Sequence, residues 1–222
     1  MRHAPVTALE IVEDFSSTAR CDEGFLQIRR LRVKNRREDG SSSPVYRVDV
    51  VDRPRLDAVA VLIHRRTEAG TREFLTRENL RPAAYFRKDK VPHVPDEATH
   101  LYVEEIVAGI LEPTDVGDAG LKFRAAEEVR EEAGFLVEPS SISLLGGPFF
   151  VAPGILSERI HLATVDVTGL AQSEPAGDGS PLEEFGALRW RVANALRADI
   201  VSGAIQDAKT ELALNRFLAL GS

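Results

Sequence analysis

Residues 57–66, DAVAVLIHRR, constrain the fold more than any other stretch of the chain. Their apolar residues run on almost without interruption, where a half-exposed strand would alternate with polar ones, so the segment predicts a strand buried on both faces. Such a strand needs a packed layer on each side. Arg53-Pro54 ends the preceding segment, and a core domain is expected to begin near Leu56. Further strands are expected at 74–76, 101–107, 142–145, 159–167 and 187–192. The clearest helix is 121–133, where Ala125, Ala126, Val129 and Ala133 fall on one side and Gly134 supplies a stop. A second helix is expected from about 207 to 220. Strands outnumber helices, and two helices flanking a mixed sheet predict an α+β sandwich.

Ahead of this domain, residues 25–34 and 45–51 read as two strands joined by NRREDGSSSP, a turn by its Asp39-Gly40 and serines. Residues 1–55 are therefore expected to form a small antiparallel hairpin subdomain and 56–222 the main domain. The basic cluster around Arg29, Arg30 and Arg32 reads as the solvated side of that hairpin. Residues 88–99 and 171–181 read as exposed loops. The 222 residues suit one generous domain with a small appendage. Twenty-eight Lys and Arg stand against 35 Asp and Glu, a net charge of -7, which disfavours nucleic acid as a partner. An anionic substrate would need local arginines or divalent cations to reverse the field. Cys21 is the single cysteine, so neither an intramolecular disulfide nor a cysteine zinc site is expected. The N-terminus has no leader pattern and no window is a membrane span, so a soluble cytoplasmic protein with no membrane partner is expected.

On the 121–133 helix, Glu128, Glu131 and Glu132 fall within an arc of about 100° opposite the alanines. From the residues alone two interpretations stand. One is a solvated acidic face with Lys122, Arg124 and Arg130 as partners; the other is a hard-cation site, since Mg²⁺ or Mn²⁺ takes carboxylate oxygens and removes the repulsion between them. Trp190 reads as core, and His64, His93, His100 and His161 have no metal-ligand spacing to one another.

The stretch 109–135, GILEPTDVGDAGLKFRAAEEVREEAGF, resembles the Nudix box, G-x5-E-x7-R-E-U-x-E-E-x-G-U. Glu128, Val129, Glu131, Glu132, Gly134 and Phe135 sit at the required spacings. Glu127 stands where the family has an arginine, and Gly109 lies four residues further upstream than the pattern, with Asp115 in the place of a family glutamate. Arg124, one turn before Glu128, is expected to replace the missing brace. Glu105 to Gly109 is similar to the E-x-x-A-G entry of ADP-ribose and nucleotide-sugar pyrophosphatases, Leu80 to Tyr85 to their R-P-A-x-Y segment, and Ala152 to Arg159 to their S-P-G-x-x-x-E-R loop. Asp207 to Thr210 fits the same subfamily.

The resemblance implies a Nudix-type α/β/α sandwich with a mixed β-sheet and a metal-dependent hydrolase that splits a nucleoside-diphosphate sugar into nucleoside monophosphate and sugar phosphate. ADP-ribose is the leading substrate, with UDP- or GDP-sugars or a non-hydrolysing nucleotide-sugar binder as alternatives. It implies Mg²⁺, or Mn²⁺, held by Glu128, Glu131, Glu132 and the carbonyl of Ala108. For the general base it offers Glu158, Glu183 or Glu184, and for the substrate grip Arg81, Arg77 and Arg47. It further implies a homodimer built by the hairpin.

Overall fold

The computed structural model describes residues 20, 22–177, 179–183 and 186–221. Strands β1 (Gln27–Val33) and β2 (Tyr46–Asp52) pair antiparallel, with Gln27 opposite Asp52 and Val33 opposite Tyr46, and form a two-stranded sheet of their own. The run at 57–66 becomes β3 (Ala58–Arg66), followed by β4 (Arg72–Leu80) and a single-turn helix α1 (Pro82–Tyr85). Next come β5 (Tyr102–Glu105), β6 (Val107–Ile110) and the long helix α2 (Gly117–Ala133). Strands β7 (Ser143–Leu144), β8 (Phe149–Phe150), β9 (Arg159–Asp166) and β10 (Leu188–Val192) precede helices α3 (Ala193–Ser202) and α4 (Ala208–Ala219).

Eight of these strands form one mixed sheet in the order β10-β4-β3-β9-β7, with β5 on β4, β6 on β3 and β8 on β9. Only β3 and β9 run parallel among the pairs described, from Ala58 opposite Ile160 to His64 opposite Asp166. Residues 59–63 are completely buried, and alternation sorts them between two layers. Val59, Val61 and Ile63 pack on Ala125, Ala126, Val129 and Ala133 of α2, whereas Ala60 and Leu62 pack on Leu196 of α3 and Leu214 and Phe217 of α4. Each large side chain buried this way contributes about 1.5–3 kcal/mol, so the expected two-sided strand is the centre of the α+β sandwich.

Helix ends follow the chemistry of their caps. Gly134 closes α2 with φ 74°, and a Cβ there would lie 2.1 Å from the Ser173 carbonyl oxygen, so only glycine fits. Asp207 caps α4 by accepting from the Thr210 N–H, as the expected helix from 207 requires. Among the described residues there are four α-helices where two were expected. Helix α3 escaped because it starts directly after β10, with no side-chain cap and no breaker between Val192 and Ala193. Helix α2 starts one turn earlier than expected, and β4 runs well past 74–76 because Arg77 and Asn79 are buried polar residues within it. The single strand expected at 101–107 is two strands, since Ile106 turns its N–H to Thr210 Oγ1 at 2.9 Å as the chain passes from β4 to β3. Trp190 is half-buried against the core, with the Arg65 guanidinium 4.0 Å from its ring centroid. Arg29, Arg30 and Arg32 are exposed along β1, the solvated face expected of them. No helix among the described residues is long and apolar enough to cross a membrane.

Candidate active site

Five elements converge on one cavity of about 790 Å³. The end of β4 brings Arg81, β6 brings Ala108 and Gly109, α2 brings Glu128, Glu131 and Glu132, the turn before β9 brings Glu158, and the start of α4 brings Lys209. The chain thus gathers residues as far apart as Arg81 and Lys209, 128 positions from one another. Arg77 does not line the cavity. It is buried beneath it, with its guanidinium 2.9 Å from Glu132 Oε1, so it braces the acid cluster where a substrate-gripping role was expected. Gly186 makes room for it, because a Cβ there would come within 2.3 Å of Arg77 Nε. Arg47 lies exposed on β2, opposite Arg32, and does not line the cavity of its own chain. Glu183 falls in a turn beyond Leu182, which does line the cavity, and nothing is described of its side chain; Glu184 lies outside the described residues.

The three α2 glutamates occupy different surroundings. Glu132 is buried and accepts from the Ala108 N–H at 3.1 Å with Oε2 while Oε1 faces Arg77. The carboxylate of Glu128 lies flat against Gly109, where a Cβ would be 1.8 Å from Oε1, so the glycine exists to let the acid approach the β6 backbone. Glu131 is more open and accepts from Arg130 at 2.7 Å. Arg124 lies 4.0 Å from Glu128 and donates to Asp115 at 2.8 Å, which fits the brace expected of it. Burial works against its charged form, but the hydrogen bond and charge of Asp115 prevail and raise its pKa. Glu127, at the position that departs from the Nudix pattern, accepts from Arg130 at 2.8 Å and takes no part in the cavity wall.

Sequence spacing did not reveal how the remaining walls are tied. Glu105 is buried and accepts from Asn79 at 3.1 Å, Arg81 at 2.6 Å and Lys209 at 2.7 Å. Burial disfavours the Lys209 ammonium, yet Glu105 and Asp207 outweigh it and raise its pKa. Arg53 donates to Glu158, and Arg55 to Glu112 at the cavity rim. The turn carrying Glu158 is docked on the hairpin, where the Val51 N–H donates to the Ile155 carbonyl at 2.8 Å. No periodicity links residues 53 and 158, so Arg53 could not be found as an anchor from sequence.

The donors suit a hard divalent cation, because they are all oxygens. In a strand the N–H and C=O of one residue point to the same side. The Ala108 N–H faces Glu132 instead of β3, so its carbonyl also faces the acids. No three His, Cys, Asp or Glu side chains converge into a cation-holding group among the described residues. Glu132 is turned to Arg77 and Ala108, and Glu131 to Arg130.

No family model matches the chain, and no curated protein matches it. Among solved structures it is similar to the crystal structure of an ADP compounds hydrolase, with a TM-score of 0.57 at 15% identity over 89% of this chain and 92% of that one. What the two share is the α+β fold, with its large mixed sheet and, in this chain, a separate two-stranded sheet.

Proposed function

We propose that the chain is a divalent-metal-dependent Nudix-type hydrolase that cleaves the diphosphate of ADP-ribose or a related nucleoside-diphosphate sugar. One observation carries this reading: Glu128, Glu131, Glu132, Ala108, Arg81 and Glu158, drawn from four separate stretches of sequence, line a single cavity. The similar solved structure is an ADP compounds hydrolase, which favours the same substrate class. Five cationic and six anionic side chains line the cavity, so its wall alone offers a diphosphate no net attraction.

Mg²⁺ or Mn²⁺ would be held by Glu128, Glu131, Glu132 and the Ala108 carbonyl, and when bound would neutralise diphosphate charge and acidify a water. Arg81, fixed by the buried Glu105, would neutralise charge that builds on the leaving phosphate. Glu158 would take the proton of the attacking water, for which it must exchange its Arg53 contact for that water. Glu183 and Glu184 remain in the comparison, since they follow Leu182 on the cavity rim. Substituting each of the three by glutamine should single out the base by a loss of about 10²–10⁴ in turnover with little change in metal affinity.

In the same reading, residues 1–55 serve as a dimerisation subdomain beside a hydrolase domain of 56–222, the partner's Arg47 reaches toward this cavity, and the protein works in the cytoplasm. The second reading is a Nudix-fold nucleotide-sugar binder that does not cleave, favoured by the engagement of both Glu132 oxygens by protein groups. Incubation with a panel of ADP-, UDP- and GDP-sugars and Mg²⁺ or Mn²⁺ separates the two. Release of nucleoside monophosphate and sugar phosphate is expected; binding without release under both metals would leave only the binder.

A further inference from the structure

Alternation along β4 puts Arg77 on the same side of the sheet as Leu75, which belongs to the core under α2, so the pattern calls for an apolar residue at this position. Arg77 is instead the one buried arginine among the described residues, and its guanidinium lies 2.9 Å from the equally buried Glu132. The fold makes room for it: a Cβ at Gly186 would come within 2.3 Å of its Nε and 2.9 Å of its Cγ. Ion pairs buried this deeply are commonly no more stabilising than apolar residues of the same volume, so stability does not explain the pair. What Arg77 does is neutralise a carboxylate that is largely shut off from water.

The charges around the first cavity show how much neutralisation is left for a metal to supply. Arg53 is matched by Glu158 and Arg55 by Glu112. Arg81 and Lys209, whose wall is shared with a second cavity of about 870 Å³, are matched by Glu105 and Asp207. At the acid helix the described ion pairs form three groups: Arg77 with Glu132, Arg124 with Asp115 and Glu128, and Arg130 with Glu127 and Glu131. Five carboxylates stand there against three guanidiniums, an excess of two negative charges. One divalent cation balances that excess, and a second would reverse it. Position argues the same way. A Mg²⁺–oxygen bond is about 2.1 Å long, so an ion on Glu132 Oε1 would lie within about 5 Å of the Arg77 guanidinium, cation against cation. A carboxylate that bridges two ions turns one oxygen to each, whereas Glu132 turns Oε1 to Arg77 and Oε2 to the Ala108 N–H.

We infer that Arg77 stands in for a second metal ion, so that the chain takes one divalent cation at the acid face before substrate binds. This rests on the metal-dependent reading of the first cavity and adds the number of ions and the residue that sets it. Removing the guanidinium would leave Glu132 charged and buried without that partner, which is more costly than the pair itself. A second cation is the group able to restore the balance.

Counting ions tests this without reference to turnover. Mn²⁺ would be titrated into the full chain without substrate, and the unbound ion read by electron paramagnetic resonance. The wild type would be compared with Arg77→Met, Arg77→Gln and Arg130→Ala, with thermal melts to confirm that each variant is folded. The expected result is one bound Mn²⁺ per chain in the wild type and two in either folded Arg77 variant. Arg130→Ala should still bind one, because water already screens that exposed guanidinium. Two ions bound to the wild type would overturn the inference while leaving the metal-dependent reading in place, a result that needs no variant to fold. A folded Arg77 variant that still binds one ion would also overturn it and assign Arg77 to structure alone. A second ion gained by Arg130→Ala would do the same, since net charge rather than Arg77 would then set the count. No bound Mn²⁺ in the wild type would remove the metal-dependent reading itself, and the inference with it.

Discussion

The inner and outer parts of the α2 acid face carry the same residue type in opposite surroundings. Glu132 faces Arg77 with side chains 6% and 4% exposed, whereas Glu131 and Glu127 share Arg130, which is 42% exposed. In the inner pair neither charge can recruit water if the other is removed, so each depends on its partner. The outer group is solvated and can lose a member at little cost to the fold. One face of a helix can therefore carry several acids while tying only some of them to the stability of the protein.

The largest expected effect comes from Glu132→Gln, which should lower turnover on a nucleotide sugar about 10³-fold. It should also cost about 3–5 kcal/mol in denaturant unfolding, because Arg77 is left as an uncompensated buried charge. A variant as stable as the wild type would break the distinction between inner and outer acids. Arg77→Met should cost a similar 3–5 kcal/mol or so, and the double variant Arg77→Met/Glu132→Leu should regain most of it without activity.

Across the sheet, His64 offers the same comparison in a single residue. It is buried between Phe74 and Phe217, with ring centroids 6.3 and 4.8 Å away, and its Nδ1 lies 3.9 Å from Asp166. Burial lowers its pKa to about 4; Asp166 acts in the opposite direction, and Arg72 and Arg66 add to the lowering. The unfolded chain, where His titrates near its ordinary value of about 6.5, therefore binds more protons between these limits. The stability that neutral His64 contributes is complete above about pH 6.5 and is lost as the pH falls toward 4, up to about 3 kcal/mol. The urea midpoint should fall less between pH 7 and pH 4.5 in His64→Phe than in the wild type; equal losses in both proteins would assign the acid lability elsewhere.

For the outer acids, Glu131→Gln should reduce turnover about 10²-fold yet change stability by less than about 0.5 kcal/mol. Metal titration followed by a thermal melt would sharpen the comparison by reading both quantities from one sample. Arg130→Ala is the smallest change, expected within about 0.5 kcal/mol and with turnover little altered, since it lies off the cavity wall.

Much of the architecture can be read from local pattern. An uninterrupted apolar run identifies β3, the alanine stripe and Gly134 delimit α2, and Asp207 with Thr210 opens α4. The acid trio, Ala108 and Arg81 each sit in a short segment whose own spacing is distinctive, and all of them line the first cavity, which is as much as their placement shows. Arg77 was misplaced for a physical reason: a charged residue on a strand reads as exposed unless its partner is known, and Glu132 comes from a helix 55 positions later. The Arg53–Glu158 contact and the second cavity share that limit, because both depend on segments brought together only by the sheet.

The parallel pairing of β3 with β9 also has a consequence for synthesis. Thr164 donates to the Leu62 carbonyl across 102 positions, so the neighbour that completes β3 emerges long after it. At roughly 5–20 residues per second, the strand waits on the order of 5–20 s for β9. During that interval Ala58 to Ile63 is six consecutive apolar residues with an unpaired edge, the composition that favours strand-to-strand association between chains. The segment at the centre of the finished sheet is thus the one most exposed to aggregation while the sheet is being made, and slowing translation between the codons for residues 66 and 159 should lower soluble yield.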